Sequence, residues 1–73
     1  MIKLYVIENE RGEFLKRTAY YGAYYGGIEN ARIYRKLGTA KGIVTRLNKG
    51  GIGRGEVLNH HICQLNVNSM TRI

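Results

Sequence analysis

"NARIYRKLGTAKGIVTRLNKG", Asn30 to Gly50, changes its periodicity midway, and that change decides the fold class. In "NARIYRKL" Ala31, Ile33 and Arg35 alternate with Arg32, Tyr34 and Lys36, the period of two that marks a strand. After Gly38 the apolar residues Ala40, Ile43, Val44 and Leu47 fall at i, i+3, i+4 and i+7, which is one stripe of an α-helix. Thr39 is placed to cap that helix with its hydroxyl. Gly42 inside it costs about 1 kcal/mol relative to alanine, which a close approach of helix to sheet would explain. Arg46 and Lys49 complement the negative end of the helix dipole.

Working outward, "IKLYVIEN" (Ile2–Asn9) alternates Ile2, Leu4 and Val6 with Lys3, Tyr5 and Ile7 and reads as a strand buried on at least one side. "ENERGE" follows, and its Gly12 supplies the positive φ of a tight hairpin turn. "EFLKRTAYY" continues as the antiparallel partner, until Gly22, Gly26 and Gly27 break the chain into a loop or irregular edge. Beyond the helix, "KGGIGRGE" is a flexible connection carrying Arg54. "EVLNHHICQLNVN" is the last strand, with His61, Cys63, Leu65 and Val67 on one face and His60, Ile62, Gln64 and Asn66 on the other. Residues 68–73 are expected to fray. The predicted architecture is α+β: a small, mostly antiparallel sheet with one helix packed on it, in the order β-β-β-α-β, forming a single domain over residues 1–73.

A chain of 73 residues has a thin core, burying only about 60% of the surface that its unfolded form exposes. Its one cysteine cannot close an internal disulfide, and no Cys/His set has structural-zinc spacing, so association into a homodimer is the expected reinforcement. Charge by the third residue and the lack of a long apolar run predict neither a signal peptide nor a membrane span, hence a soluble protein of the cytoplasm.

Twelve Lys and Arg stand against five acids, for a net charge of +7. The excess is local. From Lys16 to Arg54 there are nine cations (Lys16, Arg17, Arg32, Arg35, Lys36, Lys41, Arg46, Lys49 and Arg54) against Glu29 alone. Such a field attracts a polyanion or an acidic protein surface. Into it falls "AYYGAYYGG", Ala19–Gly27, with four of the six tyrosines. Aromatic rings interleaved with cations suit single-stranded nucleic acid, where rings stack on bases and cations follow phosphates. Tyrosine serves equally well in a core or a protein interface. If the stretch is extended, Tyr20 and Tyr24 share one face, Tyr21 and Tyr25 the other.

Signs of catalysis are few. "GGIGRG" fits neither the dinucleotide fingerprint nor the P-loop, because it follows a helix and precedes a strand. His61 and Cys63 share a face but lack an evident further ligand, so no metal or other cofactor is expected. A general-base histidine would need an orienting carboxylate, and no acid lies near "HHIC" in sequence. Glu8, Glu10 and Glu13 cluster at the predicted hairpin turn, where solvation is expected.

The segments "KLYVIENERGEFLKR" and "IENARIYRKLGTAKGIVTRL", with the closing strand, resemble a loose group of very small proteins encoded by tailed bacteriophages. The resemblance covers most of residues 2–67 and rests on a glycine-turn hairpin, an "ARIY" strand and a G-x-A-K helix, here "GTAK". It implies a non-enzymatic effector that binds RNA or a host or defence enzyme and blocks its action. The tyrosine-glycine stretch is outside the shared pattern. The expected function is nucleic-acid binding, RNA before DNA, with inhibition of a host or antiviral defence nuclease. The alternative is a protein-binding inhibitor that docks its basic face on an acidic enzyme. Arg32, Arg35, Lys36, Lys41, Arg46, Lys49 and Arg54 are the expected phosphate contacts; Tyr21, Tyr24, Tyr25 and Tyr34 are the candidate stacking rings.

Overall fold

The computed structural model describes residues 3–19, 22–49, 59–66 and 70–73. It is an α+β fold: strands β1 (Leu4–Asn9), β2 (Phe14–Ala19) and β3 (Gly22–Gly26), a 3-10 turn (Ile28–Asn30), helix α1 (Leu37–Asn48), then β4 (His60–Leu65) and β5 (Met70–Arg72). The five strands form one antiparallel sheet in the order β3-β2-β1-β4-β5.

The hairpin between β1 and β2 forms as its sequence dictates. Gly12 takes φ +80°, a conformation that costs an L-residue roughly 1–2 kcal/mol. Asn9 is the organiser: its Oδ1 accepts from the N–H groups of Arg11 (2.9 Å) and Glu13 (3.0 Å), while its own N–H donates to the Glu13 carbonyl (2.9 Å). With 1% of its surface exposed, Asn9 is a buried polar side chain whose bonding capacity is used.

Beyond the turn β1 and β2 separate. Their only strand register is Glu8↔Phe14. The chain after the 3-10 turn enters the gap: Arg32 N–H donates to the Leu15 carbonyl (2.9 Å), and Tyr34 exchanges two backbone bonds of 2.8 Å with Tyr5. "NARIYRKL" is therefore no third strand but a wedge joined to β1 by a single bridge, Tyr5↔Tyr34. The third strand is instead the glycine-flanked "GAYYG", expected to be a loop or an irregular edge and found as the sheet's edge strand, paired across a register shift. A register shift between Leu15 and Arg17 bulges β2 at Lys16, and a Cβ on Gly26 would lie 3.0 Å from Lys16 Cδ. Glycine at 26 thus leaves room for the Lys16 stem across the strand.

Helix α1 buries Ala40 and Leu47 and half-buries Ile43 and Val44, the stripe read from the sequence. It begins at Leu37, so Lys36 is the N-cap and Thr39 is already within the first turn. Gly42 has open space where a Cβ would sit, which removes close packing as its reason. Under the helix lie Tyr5, Ile7, Leu15, Tyr34 and Ile62. The other sheet face carries a smaller cluster of Val6, Phe14 and Cys63 with Ala31 and Leu65. The segment expected to fray instead adds β5, paired Cys63↔Arg72, Gln64↔Thr71 and Leu65↔Met70. Among the described residues no helix is long and apolar enough to cross a membrane.

Candidate nucleic-acid interface

The wedge has a consequence for charge. Because residues 32–36 run from the β1–β2 gap directly into α1, Arg32, Arg35 and Lys36 gather at the helix N-terminus. They line a groove of about 400 Å³ together with Thr18 of β2 and Thr39 and Ile43 of α1. The first turn of α1 holds no acid, and Lys36 makes no side-chain cap bond. The N–H groups of that turn and the positive end of the helix dipole therefore add to the three cations. Among the described residues no acidic side chain lines the groove.

The remaining predicted contacts divide by position. At about 100° per residue, Arg46 follows Thr39 and Ile43 on the groove flank of α1. Lys41 lies on the opposite flank and Lys49 at the helix end, both exposed, so the structure does not gather them with the groove. Arg54 and Tyr21 lie outside the described residues.

The tyrosines separate more sharply. Tyr34 is only 6% exposed, packed in the core under the helix, which withdraws its ring from base stacking. The Arg32 guanidinium stands 5.6 Å from its ring centroid, and burial pushes its phenol up, opposed by Arg32. Tyr25 is half-buried on the helix side, and its hydroxyl donates to His60 Nε2 at 2.6 Å. Asn48 Oδ1 accepts from His60 N–H (2.8 Å) and faces His60 Nδ1 (3.1 Å), which places the ring proton on Nδ1 and leaves Nε2 to accept. The Tyr25 ring is thus committed to the fold. Burial, aided by the nearby Glu13 charge, raises its phenol pKa. Tyr24 faces outward with 43% exposure, and the Arg17 guanidinium lies 4.6 Å from its ring centroid. Of the candidate stacking rings, Tyr24 is the one the described structure leaves available.

Sequence reading missed Thr18 and Thr39 as groove walls, since neither charge nor spacing marks them. It also placed no acid near the histidines. The β1–β4 register sets Glu8 opposite His61, and Glu8 Oε1 lies 2.5 Å from His61 Nε2. Glu8 is therefore a partly buried, partnered carboxylate rather than a solvated turn residue.

No family model, curated protein or solved structure matches this chain.

Proposed function

We propose that the protein is a non-enzymatic nucleic-acid-binding effector, taking RNA before DNA, that holds the phosphate backbone in the groove at the start of α1. The observation that carries this reading is the convergence of Arg32, Arg35 and Lys36 on one groove, without an acid among its described lining residues, beside uncapped helix N–H groups. Cations and a helix N-terminus together are the ordinary means of holding phosphate oxygens. The exposed Tyr24 ring with Arg17 beside it supports a single-stranded ligand, whose bases are free to stack. Among the described residues the groove lining includes no carboxylate, histidine or cysteine to act as acid, base or nucleophile. The resemblance to small phage proteins supplies the setting, in the cytoplasm of a host cell, where RNA held this way is withheld from a defence nuclease.

One observation favours a second reading. Ile33, 52% exposed, stands among the groove cations, as an apolar anchor for an acidic protein partner would. Salt separates the two. Three neutralised phosphates give a log–log slope of about −2 for single strands, so RNA affinity should fall roughly 20-fold between about 50 and 200 mM salt. Anisotropy with a labelled random single-stranded RNA measures this directly. Arg35→Ala should flatten the slope by about 0.7. No RNA binding by the wild type at the lower salt removes the proposal and leaves the protein partner.

A further inference from the structure

We propose that Glu8, His61 and Cys63 form a binding site for a divalent transition metal of the zinc class, on the sheet face opposite α1. The site follows from register. Strands β1 and β4 pair Glu8 with His61 and Val6 with Cys63, so a carboxylate, an imidazole and a thiol two residues apart on β4 project from one face. Their ligand atoms all lie within 4.8 Å of one another. The Glu8 Oε1 to Cys63 Sγ distance is 3.8 Å and the Glu8 Oε1 to His61 Nε2 distance 2.5 Å.

Tetrahedral zinc, with bonds of about 2.0 Å to N or O and 2.3 Å to S, sets its ligand atoms roughly 3.3–3.6 Å apart. The sulfur–carboxylate pair is already close to that spacing. The carboxylate–imidazole pair must open by roughly 0.8 Å, a small side-chain swing once a metal replaces the shared hydrogen.

Shelter agrees with this placement; burial and the Glu8 carboxylate hold the Cys63 thiol above its ordinary pKa, so metal binding has to release its proton. Cys63 is 2% exposed, and the side chains of His61 and Glu8 are 17% and 22% exposed, so the metal would sit in a sheltered spot that strengthens its ligand bonds. Two anionic ligands and a neutral imidazole balance a dication, so Arg72, paired across from Cys63, faces a neutral unit rather than a bare charge. A cleft of about 460 Å³, lined by Glu8, His61 and Arg72, opens the carboxylate and the imidazole to solvent while Cys63 stays buried behind them, and a metal held there would take its fourth ligand, water or a small exogenous group, from the cleft. Sulfur and nitrogen donors select zinc, cobalt and their neighbours over magnesium or calcium. The alternative is a carboxylate that simply accepts hydrogen bonds from the imidazole and the thiol, with no metal among them.

Cobalt(II) distinguishes these, because the chain has a single cysteine and any thiolate-to-cobalt charge-transfer band must come from Cys63. Titrating the reduced, metal-free full chain with Co²⁺ should give that band together with the visible bands of tetrahedral cobalt, saturating at one equivalent. Zn²⁺ should abolish both bands, and Mg²⁺ should not. Glu8→Gln and His61→Gln should each weaken cobalt binding by at least about tenfold, and Cys63→Ser should lose the charge-transfer band, with circular dichroism checking that each variant is folded. The absence of the band from the wild type at excess Co²⁺ overturns the proposal, and that result needs no variant. A band that E8Q and H61Q leave unchanged overturns it as well, because Cys63 would then bind metal with other partners.

Discussion

Lys36 serves two roles whose energetics oppose each other, so one substitution tests both the helix and the groove. As N-cap of α1 it sits at φ −112° and ψ 121° and makes no side-chain bond to the first turn. That is the extended conformation in which N-cap residues normally sit, so serine fits without moving the backbone. In Lys36→Ser the hydroxyl can accept from the N–H of Gly38 or Thr39, and a cation leaves the positive end of the dipole. The expected gain is about 0.5–1 kcal/mol. At about 4–8 °C per kcal/mol for a domain of this size, Tm should rise by roughly 2–8 °C. The same change removes one of three groove cations. The salt slope for single-stranded RNA should weaken from about −2 to about −1.4, and affinity at ~0.1 M salt should fall roughly fivefold. Thermal melting by circular dichroism and RNA anisotropy read the two effects, with Lys41→Ala, on the opposite flank, as the control. A Tm that stays level or falls refutes the capping argument. An unchanged slope, or an equal loss in the control, refutes the groove as the phosphate site.

Three further substitutions probe the scaffold. Gly42→Ala should raise stability by about 1 kcal/mol in urea denaturation, because the added Cβ meets open space; a loss would reveal a contact that the structure lacks. Asn9→Ala should cost about 1–3 kcal/mol, since the N–H groups of Arg11 and Glu13 lose their acceptor, and an unchanged midpoint would remove Asn9 as the organiser of the turn. Tyr25→Phe should begin about 1 kcal/mol below wild type at neutral pH, through the lost bond to His60. Burial holds the folded Tyr25 phenol above its ordinary value near 10, so the unfolded chain loses that proton first. The contribution of Tyr25 is complete below about pH 10 and declines as pH rises from there. The gap between Y25F and wild type should therefore narrow in urea melts run from about pH 8 to 11, and a constant gap would contradict the burial argument.

The parts of the fold legible in the sequence are those that a local period or a single backbone demand specifies. Ala40, Ile43, Val44 and Leu47 name the buried side of α1 because a helix has only one way to face a sheet. Gly12 names the turn because few other residues tolerate its φ. The misread parts depend on relations between distant segments. "GAYYG" has poor strand composition, yet the bulged β2 edge supplies it with a register and Lys16 lies across Gly26; pairing outweighs propensity in an edge strand. "ARIY" alternates like a strand but becomes a wedge, because β1 and β2 diverge after one register pair and leave backbone groups on Tyr5 and Leu15 to be satisfied. Nothing within residues 30–37 announces that divergence. Met70–Arg72 is likewise defined by the free edge of β4 rather than by its own three residues.

The site was legible as a field and hidden as a geometry. A charge count finds the cations of the middle segment, but only the wedge decides that Arg32, Arg35 and Lys36 meet at a helix start while Lys41 faces elsewhere. Strand parity separates Tyr24 from Tyr25, and the core accordingly takes Tyr25 and leaves Tyr24 outside. The cluster on the other face escapes notice because 53 positions separate Glu8 from His61 and only the β1–β4 register joins them. The same topology keeps the two polar sites apart. Glu8, Glu10 and Glu13 gather at the hairpin end of β1, whereas the groove cations gather beyond the opposite end of the β1–β2 gap, beside Tyr5. A polyanion is therefore drawn to the start of α1 and repelled from the carboxylate end. Charge segregation of this kind lets one small sheet carry a cationic groove on its helix side and metal-type ligands on its other face without either neutralising the other.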